Sequence, residues 1–236
     1  MRTKVILSIA ALAAGVATSM AQSNVYSLNI VGYINVALPN ANNALANQLN
    51  KGTPQNRADQ VIPYSDTDSI QIWNGVSFTS YFMDSGSSTG WSDAGGGEVQ
   101  LVNLPVLAPG KGFFYGKNST ITNITFVGEV ALGTNNVTIT SSPRFSMLGS
   151  PIPYSGLIRT VNANNQIGCP VPDANDVQKW SVNHWVASYA DSGSSTGWTD
   201  AGGGEVPEPT LAVGEGFFYE NNSGAPITWT QILNNP

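Results

Sequence analysis

Two stretches of this chain carry the residue types that could do chemistry. They are DSGSSTGWSDAGGGEV at 84–99 and DSGSSTGWTDAGGGEV at 191–206, offset by 107 positions and differing only at Ser92 and Thr199. Both contain G-x-S-x-G, in Gly86-Ser87-Ser88-Thr89-Gly90 and in Gly193-Ser194-Ser195-Thr196-Gly197. As a nucleophile motif this pattern needs a strained strand-to-helix turn and a histidine base later in the chain. Here a run of three glycines follows, which opposes a helix. The single histidine, His184, precedes the second serine. One histidine also cannot serve two equivalent loops, so no enzymatic activity is expected.

The same stretches hold three carboxylates per copy: Asp84, Asp93 and Glu98, then Asp191, Asp200 and Glu205. With the serine hydroxyls and glycine carbonyls between them they are candidate calcium ligands, since calcium takes six to eight oxygens. Their spacing differs from a helix–loop–helix calcium loop, which places several carboxylates at alternate positions. Zinc is disfavoured by the single histidine and single cysteine. A glycosidase pair of acid and base is disfavoured because the obvious carboxylates sit in both copies, whereas an active site more often diverges between them.

Trp91 and Trp198 stand among small residues inside these loops, with Trp185 close by in sequence. A ring presented by a loop can stack on the C–H face of a sugar, as exposed aromatics do at recognition surfaces. The competing expectation is that each indole folds back and plugs its own unit, because large aromatics mostly contribute buried area.

The elements that must position these loops repeat with them. Trp73 falls over Trp180, Phe78 over Trp185 and Phe82 over Tyr189; downstream, LAPGKGFFYGKN falls over LAVGEGFFYENN. Both the hairpin signal Asn74-Gly75 and the turn Pro109-Gly110 are β punctuation. After that turn, alternation puts Phe113 and Tyr115 on one face. Helical periodicity is scarce; NANNALANQLN at 40–50 is expected to form one or two turns at most. The fold class expected is all-β. Two tandem homologous small β-units, sandwich- or barrel-like, at 24–128 and 129–236, pack as a pseudo-symmetric pair.

Residues 1–21 read as a secretory signal peptide: Arg2 and Lys4, an apolar run from Val5 to Val16, and a small-x-small site at Ser19-Met20-Ala21. That run is shorter than the about 20 residues of a membrane span. Its removal leaves seven basic side chains against 15 acidic ones, a net charge of −8. Such a chain is repelled by nucleic acid and anionic membranes. Cys169 is the only cysteine; it excludes an internal disulfide and is expected to be a small buried hydrophobe.

The segments NIVGYINV, FVGEVALGTNN, LAPGKGFFY and LAVGEGFFY together resemble a group of uncharacterised, secreted, internally duplicated β-rich proteins of environmental Gram-negative bacteria, marked by a repeated L-x-P-G-x-G-F-F. The resemblance spans nearly all of the mature chain; Val213 departs from it by replacing the turn proline. It implies export, duplication and β-architecture, and names no activity. The function expected is an exported, non-enzymatic structural, matrix or cell-surface interaction protein, resident in the periplasm, at the cell surface or outside the cell. The alternative is a polysaccharide-binding module using the loop tryptophans; a secreted hydrolase ranks third. Expected partners are extracellular polysaccharide or other surface proteins.

Overall fold

The computed structural model describes residues 30–52, 55–159, 161–162 and 165–234; the expected signal peptide lies outside them. The chain is all-β. Its two largest sheets are antiparallel, five-stranded and similar in size. The first joins β2 (Asn42–Ala46), β6 (Gly112–Gly116), β3 (Ser69–Trp73), β4 (Phe78–Met83) and β5 (Trp91–Asp93), in that order. The second joins β9 (Phe145–Gly149), β17 (Gly216–Glu220), β13 (Asp176–Ser181), β14 (His184–Ala190) and β15 (Trp198–Thr199). Strand for strand, the order is the same.

A two-stranded ribbon covers each sheet. β1 (Val31–Ala37) pairs with β7 (Asn123–Glu129), and β8 (Gly133–Ile139) pairs with β18 (Ile227–Leu233). Short pairs, β10 (Gly156–Leu157) with β16 (Thr210–Leu211) and β11 (Val161–Asn162) with β12 (Asn165–Gln166), complete the second half. The helix α1 (Ala58–Val61) is a single turn. No helix of the described residues is long and apolar enough to cross a membrane.

Alternation along β6 and β17 explains why both faces of each sheet are buried. Phe113 and Tyr115 point into a first core with Ile34, Ile70, Ile124 and Phe126. Phe217 and Tyr219 point into a second with Ile139, Val177, Cys169 and Trp229. The residues between them, Phe114 and Phe218, point the other way and meet in a third cluster with Trp73, Phe78, Trp180 and Trp185. The two sheets therefore pack through an aromatic layer, its rings mostly edge to face at centroid separations of 4.8–6.3 Å.

Backbone contacts across this layer come in exchanged pairs. Leu45 bridges Glu215, and Leu148 bridges Lys111. Ala46 N–H donates to Gly214 at 2.9 Å, and Gly149 N–H donates to Gly110 at 3.3 Å. A Cβ at Gly112 would lie 2.5 Å from the Leu148 carbonyl oxygen, and one at Gly216 would lie 2.5 Å from that of Leu45. The glycine preceding each Phe-Phe-Tyr is thus where one half's backbone touches the other's.

Two local expectations are corrected. Within 40–50, Asn42–Ala46 form β2, not helix, because hydrogen bonding to β6 outweighs the helical preference of Ala44, Leu45 and Ala46. The hairpin signalled by Asn74-Gly75 forms, β3 pairing with β4, but not on a two-residue turn: strand pairing ends at Trp73↔Phe78, leaving a four-residue loop. In it the Asn74 side chain accepts from the N–H groups of Val76 and Ser77 at 3.0 and 2.9 Å. The tight turn with two positive φ values belongs to the other half, at Val182 and Asn183. The turn at Pro109-Gly110 forms as expected, with Gly110 at φ +91° and Lys111 N–H returning to the Ala108 carbonyl at 3.1 Å.

Candidate functional site

The duplicated stretches form two copies of one loop, between β4 and β5 and between β14 and β15, each continuing past the short strand. In both copies a carboxylate accepts from the backbone it would otherwise leave unpaired. Asp84 Oδ1 takes the Gly86 N–H and Asp191 Oδ1 takes the Gly193 N–H, both at 2.8 Å. Asp93 Oδ1 takes those of Gly95 and Gly97 at 2.8 and 2.9 Å; Asp200 Oδ1 takes those of Gly202 and Gly204 at the same distances. The glycine run is what admits this: Gly96 turns at φ +77°, and a Cβ at Gly97 would stand 3.0 Å from Asp93 Oδ2.

Glu98 and Glu205 tie each loop to its second half. Glu98 accepts from Ser88 N–H at 3.2 Å and from its hydroxyl at 2.9 Å. Glu205 accepts from Ser195 N–H at 2.7 Å and from its hydroxyl at 2.8 Å. These bonds hold the Glu205 carboxyl below its ordinary pKa. Sequence reasoning missed a further anchor. Asp66 accepts from the N–H and hydroxyl of Ser85, at 2.8 and 3.0 Å, and Asp173 does the same for Ser192. The 107-residue offset between Asp66 and Asp173 was its signal.

The six candidate calcium ligands thus point at their own loops' amides and hydroxyls. Among the described residues no group of three or more His, Cys, Asp or Glu side chains converges as an ion site. The serines of G-x-S-x-G lie on strand-to-strand connections. His184 opens β14 with Nδ1 3.3 Å from the Val182 carbonyl, and no hydrogen bond among the described residues joins it to either serine.

The three candidate tryptophans are not brought together. Trp91 is 3% exposed in the first core and Trp198 is 0% exposed in the second. The Arg159 guanidinium lies 4.9 Å from the centre of the Trp198 ring. Trp185 lies in the inter-sheet layer, against Phe114, Trp180 and Phe218. Neither loop indole offers a free face to a ligand.

One polar cluster occurs in the second half alone. Asp176, fully buried on β13, is the register partner of Glu220 on β17 and of Tyr189 on β14. Gln178 donates to Asp176 Oδ2 at 3.0 Å, Oδ1 has no partner, and Glu220 is paired with Arg144 at 3.0 Å. Burial, then the neighbouring Glu220 charge, push the Asp176 carboxyl up to about 6. The matching positions of the first half hold Ser69, Gly116 and Phe82. Asp68 is the contrasting case. Burial acts to raise it, but hydrogen bonds from Ser119 and Tyr115, at 2.6 and 2.7 Å, hold it below its ordinary value. Asp176 and Glu220 are two carboxyls in unlike environments, the ingredients of acid–base chemistry. Neither lines the three cavities beside the sheets.

Those cavities flank the aromatic layer. The largest, about 550 Å³, lies between β3, β8 and β9; Trp73, Phe145, Val137 and Pro143 form its apolar wall, and Lys111, Asn136 and Thr138 its polar one. A second hollow of about 250 Å³, rich in amides, continues from it through shared Val106, Pro109 and Asn136. The corresponding cleft beside Trp180, Leu45 and Gly216 is smaller, about 200 Å³. Comparison with known proteins gives no family-model match, no similar curated protein and no similar solved structure.

Proposed function

We propose that this protein is an exported, non-catalytic structural, matrix or cell-surface interaction module. The observation that carries the reading is the use of the loop chemistry. Every carboxylate and serine that sequence reasoning singled out closes a turn or pins a strand, in both copies alike. The exposed face of the β1–β7 ribbon supplies a contact surface for partners. It carries Val31 and Tyr33, each 71% exposed, beside Val127. Exposed apolar groups clustered in this way mark interaction sites more often than chance side chains do.

The test is a panel of ester, glycoside and peptide substrates offered to the chain from residue 22 onward. No turnover is expected. Turnover that disappears in Ser88→Ala/Ser195→Ala or in Asp176→Asn would overturn the reading. In parallel, Val31→Ser/Tyr33→Ser is expected to release the protein from the outer surface of the cells that make it.

The polysaccharide-binding alternative gains support from a different place than the loop tryptophans. The trough beside Trp73 is concave, of mixed polarity, and within the about 300–1,000 Å³ typical of ligand sites. Retention on insoluble polysaccharide, competed by soluble oligosaccharide, is the measurement that separates it from the first reading.

A further inference from the structure

The two clefts beside the aromatic layer occupy matching places but differ in charge and in freedom. In the smaller one, Glu215 is held by Lys179 at 3.0 Å and accepts from the Ala212 N–H at 2.8 Å. In the larger one the matching residue is Lys111, exposed, whose ammonium has no hydrogen-bond or ion-pair partner among the described residues. The chain has 15 acidic side chains, yet none lines the larger trough or its amide-rich extension. A cation left free in an acid-free hollow of an acidic protein is placed for a negatively charged ligand.

We propose that the trough binds a glycan carrying carboxylates, a uronate-type chain. One sugar ring lies against Trp73 and Phe145, and its carboxylate lies at Lys111. The inference rests on the polysaccharide-binding reading and moves its site from the loops to the inter-sheet trough. The chemistry matches each part of the lining. Aromatic faces take the C–H face of a sugar ring, and the side-chain amides of Asn50, Gln55 and Asn136 are donors and acceptors for hydroxyls. The hollows run into one another, giving room for a chain rather than a single compact molecule. The net charge, −6 for the whole chain and −8 without residues 1–21, opposes a polyanion at long range. At physiological salt that repulsion is screened beyond about 8 Å, while the contact at Lys111 is not.

The experiment measures binding of acidic galacturonate oligomers and of the same oligomers with their carboxylates methyl-esterified, by calorimetry at 0.15 M salt. Binding of the acid form, with the ester weaker, is expected. Lys111→Gln is expected to weaken the acid form about threefold, the scale of one exposed ion pair, and to leave the ester unchanged. Lys179→Gln, at the smaller cleft, is the control expected to change neither. Asn136→Trp places a bulky ring at an exposed strand position inside the trough, and should abolish binding with an unaltered melting temperature. Equal binding of acid and ester, or binding indifferent to Lys111→Gln, would overturn the carboxylate assignment and leave the polysaccharide reading standing. Binding that survives Asn136→Trp would place the glycan elsewhere. Absence of binding to any glycan would overturn both.

Discussion

The indole N–H of Trp73 donates to the carbonyl of Phe145 at 3.0 Å, from the first sheet to the edge strand of the second. The second sheet returns the bond: Trp180 N–H donates to the Asn42 carbonyl at 2.9 Å. Each indole thereby satisfies its one polar atom inside an otherwise apolar layer, where an unpaired N–H would be costly. Replacing the indole by a phenyl ring, which removes the donor with part of the ring, tests how far these contacts hold the halves together. Trp73→Phe and Trp180→Phe are each expected to lower unfolding free energy by about 1–2 kcal/mol in urea titration. The two losses should not add simply, because both rings touch Phe218 or its neighbours in one cluster.

Where the backbones of the two halves touch, a methyl group has nowhere to go. Gly112→Ala and Gly216→Ala each direct a Cβ at a main-chain oxygen rather than at a flexible side chain. Overpacking of this kind costs about 1–3 kcal/mol. The expected outcome is a lower melting temperature for each variant. Gly96→Ser makes an informative comparison: its Cβ would meet open space, so its cost comes from the positive φ alone.

Much of the β-architecture was legible because it rests on local rules. Alternation in Gly-Phe-Phe-Tyr identifies which aromatics share a face, and Pro109-Gly110 announces its turn. What the local rules could not reveal is what lies beyond the second face. Trp73, Phe78, Trp180 and Trp185 read as repeated aromatic strand residues, and nothing near them in sequence says that the opposite sheet covers them. The stretch 40–50 failed for a related reason: its partner β6 lies some 70 residues away in the chain, and the pairing, not the composition, makes it a strand. Comparing the copies for identity also hid the Asp176–Glu220 pair. Those residues differ between copies, and a search for what repeats passes over what diverges.

The loop tryptophans carry a prediction opposite to the one a sugar-stacking role makes. Trp91 and Trp198 fill their cores, so truncation removes buried area and leaves a cavity. Trp91→Ala and Trp198→Ala are each expected to destabilise by about 3–5 kcal/mol, visible as a large fall in denaturation midpoint. Selective loss of ligand binding with unchanged stability in either variant would mean that the ring leaves its core in solution.

Asp176 sets a pH dependence whose sign follows from its raised pKa. In the unfolded chain this carboxyl titrates near the ordinary 3.8, and in the folded chain at about 6. Between those values the folded state binds the extra proton. Its contribution to stability is therefore full below pH 3.8, is lost as pH rises through the window, and has become a net cost above pH 6. The groups facing it are Glu220, whose negative charge adds to the cost of ionisation; Gln178, whose amide favours the carboxylate; and Tyr189 alongside. Arg144 reaches it only through Glu220. A shift of this size corresponds to roughly 3 kcal/mol. Asp176→Asn keeps the shape and cannot ionise, so the difference in unfolding free energy between variant and parent isolates this one group from the other carboxylates. That difference should be flat below pH 4, rise in favour of the variant between pH 4 and 6, and level off above. A difference that stays constant from pH 3 to 8 would show that Asp176 titrates alike in the folded and the unfolded chain, near 3.8, and that a cation or solvent at Oδ1 offsets its burial.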